Sequence, residues 1–387
     1  MADLSALVAL SRRYGSDPEW VLAGGGNTSF KNQSRLYVKA SGTSLGSIST
    51  EGFCEIDRSK LDAMWNAKYS EDTEAREEAA LADLMAARAP GEAKRPSVET
   101  LMHGLFPQAY VVHTHPAAIN GITCGRMGKA TFARLFMEEG IWVPFVDPGY
   151  LLAKTVRSEL EAYRARHGRV PGIMLMQNHG LLVAGESPEE IEERSAGVMA
   201  KVLGETKRRP DLSALSVDAE ALAEATAALT RLARAAYGEA AAIRFRSDAE
   251  TALRSASREA FTPLSSAFSP DHIVYAGHEF VLVAAPSGAA PSGGSPSAGA
   301  IEAAWKDYGA RNGIAPRIVV VAGLGAFACA KGRVAAEAAI ALYSDACKIA
   351  AYAESFGGPS HMTREKIDFI RNWEVEKYRS SVSAGGR

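Results

Sequence analysis

The stretch Val111-Val112-His113-Thr114-His115-Pro116 decides how the rest is read. An apolar run of strand character ends in two histidines one residue apart. In an extended chain alternate side chains share a face, so the two imidazoles point the same way. Two imidazoles on a rigid edge are half of a tetrahedral transition-metal site and need partners from elsewhere in the chain. His179 is the candidate third ligand: it stands in Met176-Gln177-Asn178-His179-Gly180, between apolar runs at 173–176 and 181–184. Three histidines with an open fourth position describe a catalytic zinc better than a closed structural one. Taken alone, an H-x-H pair also fits histidines satisfied by backbone in a core.

Composition bounds the alternatives. The 387 residues are 47% hydrophobic and 23% charged, as in a soluble chain of about two or three domains. A formal net charge of -2 gives no electrostatic case for nucleic acid or an anionic membrane as partner. Cys54, Cys124, Cys329 and Cys347 are scattered and form no C-x-x-C pair, so reduced thiols in a cytoplasmic protein are expected. The start has no charged segment followed by an apolar one of signal-peptide length, and no apolar run approaches the roughly 20 residues that span a bilayer.

Along the chain, residues 4–14 carry helical periodicity and lead to Gly24-Gly25-Gly26-Asn27-Thr28-Ser29. Glycines leave backbone N–H groups uncovered for an anion, with Asn27, Thr28 and Ser29 as added donors; a tight hairpin would use the same residues. A strand at 36–39 runs into Ser41-Gly42-Thr43, a second small-residue loop, which could face the same ligand or be an ordinary turn. In Pro96-Ser97-Val98-Glu99, Ser97 is the expected N-cap of a short helix, whose N–H groups suit a phosphate. Glu99 is then either a capping partner or a general base beside the metal, and His103 a packed or supporting histidine. A strand at 141–146 ends in Asp147-Pro148-Gly149-Tyr150, which brings Asp147 and Tyr150 to a strand end.

The expected organisation is an α/β catalytic domain over 1–210 and a smaller α/β domain over 211–387. A flexible Pro/Gly/Ser loop is expected near 286–299, and a last amphipathic helix from 363 to about 379. No G-x-G-x-x-G lies between a strand and a helix, so a nicotinamide-binding domain is not supported. Residues 173–185 match 318–330 in pattern, with Leu324 at the place of His179. Residues 107–115 resemble 270–277, with Tyr275 and Gly277 at the places of the two histidines. The second domain therefore reads either as a degenerate copy that has lost its metal site or as a chance likeness between two strand-turn-strand-helix units.

Gly25-Gly26-Asn27-Thr28-Ser29, Ser41-Gly42-Thr43, Pro96-Ser97-Val98-Glu99, His113-Thr114-His115-Pro116 and Asn178-His179-Gly180 together resemble the class II aldolase/adducin family. Within that family they look closest to the aldolase portion of bifunctional rhamnulose-phosphate aldolase/alcohol dehydrogenases. The resemblance implies an α/β/α sandwich around a mixed, largely antiparallel sheet, and Zn2+ or another divalent transition metal on His113, His115 and His179. It further implies Glu99 as catalytic acid/base, and Asn27, Thr28, Ser41, Gly42, Thr43 and Ser97 in phosphate-binding loops. The implied reaction is cleavage of a ketose, such as rhamnulose 1-phosphate, to a dihydroxyacetone (phosphate) unit and an aldehyde through a metal-stabilised enediolate. Val98 stands where fuculose-phosphate aldolases carry a second serine. Phe145 stands where they carry a tyrosine, which leaves Asp147 and Tyr150 as the nearest groups to serve the aldehyde oxygen. A homo-oligomer is implied. A pentulose-phosphate 4-epimerase, a sugar dehydratase or decarboxylase, or a non-catalytic adducin-like interaction module would share much of this pattern.

Overall fold

A computed structural model describes residues 2–136, 138–284 and 295–373. The described residues cluster into two compact units, one from 1–123 and 127–205, the other from 124–126 and 206 onward.

In chain order the first unit contains α1 (Ser5–Gly15), β1 (Asn27–Lys31), β2 (Arg35–Lys39), β3 (Phe53–Asp57), α2 (Arg58–Ala63), α3 (Thr73–Ala86) and α4 (Thr100–Gly104). It continues with β4 (Tyr110–Thr114), α5 (Ala117–Thr123), α6 (Gly128–Phe136), β5 (Gly140–Val143), α7 (Tyr150–His167), β6 (Ile173–Met176), β7 (Gly180–Gly185) and α8 (Pro188–Gly204). Among the described residues its strands form one seven-stranded sheet in the order β3-β2-β1-β4-β7-β6-β5. Every pairing is antiparallel except β5 with β6, as two consecutive helices and a long crossover precede and follow β5. Helices α2, α3, α4 and α7 pack together on one face, and α1, α5 and α8 on the other, which makes the unit an α/β/α sandwich. The sheet centre is therefore covered twice. Strands β6 and β7 are buried at every residue, as runs of Ile, Leu, Met and Val without alternation require. Leu36, Val38, Val111, Val143 and Met174 from the sheet meet Leu101, Leu152 and Val156 from the helices in one core.

Helix ends are fixed by side-chain caps. Asp57 accepts from the first turn of α2, Asp72 from that of α3 and Ser187 from that of α8, where Pro188 fills the first helical position. Ser97 does not cap α4 itself. The helix starts at Thr100 with Glu99 at its N-cap, and the Ser97 hydroxyl instead accepts from the Glu99 N–H at 3.3 Å.

The second unit runs α9 (Ala219–Tyr237), β8 (Ala241–Arg246), α10 (Ala249–Ser255), α11 (Arg258–Phe261), β9 (Val281–Val283), α12 (Ala298–Asn312), β10 (Ile318–Val321), β11 (Gly325–Lys331), α13 (Arg333–Ala353) and α14 (Arg364–Asn372). Among the described residues its sheet has four strands in the order β8-β11-β10-β9, with β9 and β10 parallel and the other pairs antiparallel. From β8 to α13 the elements and pairings follow the same sequence as those from β4 to α8. The strand equivalent to β4 is therefore β8, which corrects the match of 107–115 with 270–277. Residues His272–Ala276 are a π-helical turn, wholly buried, and not a strand. The Pro/Gly/Ser run is shorter than expected at its end, since Ser297 already caps α12; its 286–294 portion lies outside the described residues. The last helix stops at Asn372, and the expected continuation from 374 also lies outside them.

Candidate metal centre

Strand β4 delivers His113 to the middle of the sheet. The residue pairs with Asn27 of β1 on one side and Leu182 of β7 on the other, and it is fully buried. His115 follows just past the strand, its N–H held by the Trp20 carbonyl at 3.1 Å. His179 sits in the three-residue turn between β6 and β7. There Asn178 adopts a left-handed φ of 52° and donates its N–H to the Thr123 carbonyl at 3.1 Å. Asparagine is one of the few side chains that tolerate this backbone. Gly180 is required next to it: a Cβ there would lie 2.5 Å from the Thr114 carbonyl oxygen and 2.7 Å from Cδ2 of His115.

The three rings converge through their Nε2 atoms. His115 Nε2 lies 2.9 Å, and His179 Nε2 3.2 Å, from His113 Nε2, with ring centroids 4.6 to 5.2 Å apart. His113 Nδ1–H donates to the Leu181 carbonyl at 2.9 Å, which fixes the tautomer and leaves the Nε2 lone pair facing its neighbours. Among the described residues these three make the one group of ligand-type side chains able to hold a metal ion. Tetrahedral ligation at about 2.0–2.1 Å would separate the nitrogens by roughly 3.3 Å. The two separations from His113 are close to this and all three ligand atoms lie within 4.8 Å of one another, so the donor set suits zinc or a similar ion.

Glu99 approaches from the N-terminus of α4. Its Oε1 is 3.3 Å from Nε2 of both His113 and His179, and its Oε2 accepts from Asn27 Nδ2 at 3.5 Å. Its carboxylate makes no capping bond, so the histidines, not the helix, are its partners. Burial opposes ionisation of Glu99, but the adjacent His113 and His179 rings hold its carboxyl well below the usual range. Burial pushes His179 down to about 4 and His103 down to about 3, so both rings are neutral at pH 7. A neutral His179 imidazole is the form in which that ring can bind a divalent cation.

The small-residue loops gather nearby. The Thr43 N–H closes a turn onto the Ala40 carbonyl with Gly42 at φ 83°, Ser41 N–H donates to the Arg95 carbonyl, and Ala40 bridges Pro96. Ser41, Gly42 and Thr43 are thus brought beside Ser97. Lys39, just before this turn, donates from Nζ to the Gly24 and Gly26 carbonyls at 2.9 and 2.8 Å, which ties in the glycine loop. Gly26 has a φ of 69°, and a Cβ there would lie 3.1 Å from the His113 carbonyl.

Not every candidate joins this group. Thr28 points to the opposite face of β1 from Asn27, and its hydroxyl shares a 2.7 Å hydrogen bond with Ser11 of α1. Tyr150 packs its ring against Trp65 and Tyr69 and donates its N–H to Glu77. Asp147 is half-buried in the loop after β5, with no direct contact to the histidines or Glu99 among those described. Conversely, the Lys39 anchor was not foreseen from sequence; a lysine entering a small-residue loop at a buried strand end was the available signal.

The family profile for the class II aldolase and adducin N-terminal domain matches residues 5–198. The chain belongs to this family. It is 29% identical over 203 residues to YuxG, an uncharacterised oxidoreductase of Bacillus subtilis, a match covering 50% of this chain and 28% of YuxG. The chain thus spans little more than a quarter of that relative. Among solved structures, the N-terminal class II aldolase domain of a conserved Thermoplasma acidophilum protein is 30% identical. That match covers 52% of this chain and 93% of the other, at a TM-score of 0.44. The L-fuculose-1-phosphate aldolase of Thermus thermophilus is 16% identical, with 52% and 91% covered and a TM-score of 0.33. Among the described residues no helix is long and apolar enough to cross a membrane.

Proposed function

We propose that the protein is a zinc-dependent aldolase that cleaves a ketose, with a ketose 1-phosphate such as rhamnulose 1-phosphate as the substrate class, to a dihydroxyacetone phosphate unit and an aldehyde. The single observation behind this reading is the convergence of three Nε2 atoms and one ionised carboxylate on one point. Such a group suits a shared cation, and three protein ligands would leave a fourth position for substrate. His113, His115 and His179 would hold the ion. A divalent cation there supplies Lewis-acid stabilisation of the negative charge that develops on the ketose oxygens as the carbon-carbon bond breaks.

The chain's own groups divide the remaining work. Glu99 Oε1 moves the proton at carbon: it removes one from the donor ketone in condensation and returns it after cleavage. Asn27 fixes the other carboxylate oxygen through Nδ2. Its own Oδ1 is buried without a hydrogen-bond partner among the described residues, which suits a substrate hydroxyl. Ser41, Gly42, Thr43 and Ser97 form the phosphate-binding edge with Asn27; Thr28 supports that edge through its bond to Ser11. Asp147 is assigned to the aldehyde oxygen in preference to Tyr150, whose ring is engaged by Trp65 and Tyr69.

The test is product analysis over phosphorylated and free ketoses, with and without a chelator. An aldolase yields two carbonyl fragments and loses activity to the chelator. A single isomer would replace this reading with an epimerase, and a protein that binds no metal and turns over none of the sugars would point to an interaction module.

A further inference from the structure

From the hydrogen bonds between β1 and α4 we infer that Ser29 and His103 are positioning residues for Glu99, an assignment that rests on the proposed role of that carboxylate. Asn27 and Ser29 are two apart on β1 and face the same way, a separation of about 6.8 Å. Glu99 and His103 are four apart at the start of α4, a rise of about 6 Å along one helix face. The two spacings match, and both rungs are made: Asn27 Nδ2 to Glu99 Oε2 at 3.5 Å, and Ser29 Oγ with His103 Nδ1 at 2.8 Å. The His103 N–H also closes onto the Glu99 carbonyl at 3.0 Å, so the ring and the acid belong to one helical turn.

His103 is fully buried, and its Nε2 has no hydrogen-bond partner among the described residues. A ring kept there for volume alone would be better apolar, since each unpartnered buried nitrogen is unfavourable. Its one side-chain hydrogen bond is to Ser29. That bond joins the strand carrying Asn27, which lies beside His113, to the helix carrying Glu99. It acts at the far end of a five-residue helix that has little rigidity of its own. Core packing of Leu101 and Met102 holds α4 in place. Without this bond, however, the Asn27–Glu99 contact is the one side-chain hydrogen bond left between β1 and the start of α4 among the described residues, and a small shift there moves the carboxylate relative to the histidine cluster.

The experiment compares Ser29→Ala, His103→Leu and His103→Asn, the last of which keeps an amide where Nδ1 stood, in the parent and in a Glu99→Gln background. Displacing a catalytic group by about 1 Å costs up to about 100-fold. Ser29→Ala and His103→Leu should therefore lower kcat roughly 10- to 100-fold with KM within about twofold, and His103→Asn should restore most of it. In the Glu99→Gln background Ser29→Ala should cost nothing further. The second readout is the visible spectrum of the Co2+-loaded protein, which Ser29→Ala should shift in the parent but not beside Glu99→Gln. An unchanged kcat and spectrum, or equal losses in both backgrounds, would overturn the assignment. If His103→Leu does not fold, Ser29→Ala carries the test. If the parent shows no lyase activity, the functional reading fails, and the Co2+ arm alone decides this one.

Discussion

The turn 177–179 and the turn 322–324 are built alike and do different things. Each joins two buried antiparallel strands, β6–β7 and β10–β11, and a long helix begins within three residues of the end of the second strand. Asn178 and Gly323 occupy the same left-handed position, with φ of 52° and 79°. Gly180 and Gly325 both lie against the neighbouring strand, at the carbonyls of Thr114 and Arg246 respectively. Matching β8 to β4 through these contacts places Phe245 at the position of His113, Ser247 at that of His115 and Leu324 at that of His179. Phe245 packs on Phe327 with ring centroids 4.7 Å apart, in a core with Leu324. The shared backbone serves packing in one unit and gathers nitrogens in the other, so side chains at three positions, and not the fold, make the difference.

The widest gap between the two turns should open with His179→Leu, which gives the first turn the residue of the second. Metal affinity should fall by more than about 100-fold, and turnover with it. The reverse change, Leu324→His, should bind nothing, because Phe245 and Ser247 offer no second imidazole; metal analysis of both purified variants decides. Glu99 precedes β4 and so lies outside the stretch that the two units share. Glu99→Gln should lower kcat about 100- to 10,000-fold while metal content stays at one ion per chain, and an active variant would break the acid/base assignment. Smaller effects come from the glycines. Gly180→Ala and Gly325→Ala should each destabilise their own unit by about 1–3 kcal/mol, through contact with a carbonyl that cannot move away. Only Gly180→Ala should also weaken Co2+ binding, because its methyl meets the His115 ring. Least of all, Gly323→Asn should shift stability by under about 1 kcal/mol, since asparagine already tolerates that backbone at position 178 and a Cβ at 323 meets nothing closer than 3.7 Å. Melting curves at fixed pH check both glycine predictions.

Much of this centre is readable before folding, for stated reasons. Alternation puts His113 and His115 on one face, and two apolar runs flanking His179 announce its turn. The role of Glu99 is different, because a carboxylate at a helix start is ordinarily a cap and only the tertiary approach of β4 gives it imidazole partners. Asn27 and Thr28 look alike as donors in sequence, yet strand alternation sends one to Glu99 and the other to Ser11. The segment Ile273-Val274-Tyr275 has strand propensity, but full burial of residues 272–276 in a π-helical turn overrides it. Strand β8, Ala-Ala-Ile-Arg-Phe-Arg, is legible only afterwards. Its residues are all half-exposed, and its pattern is too weak to stand out beside α9.

His113 and His179 touch in space but lie 66 positions apart along the chain. Any ion they share is therefore also a cross-link, tethering a segment that holds three helices and two strands to the ends that enclose it. Because the three nitrogens come together only in the folded chain, the binding free energy of such an ion adds directly to the folding free energy of the unit. Metal supply would in that way govern how long the first unit survives heat or proteases, independently of any sugar, while the second unit would be indifferent to it.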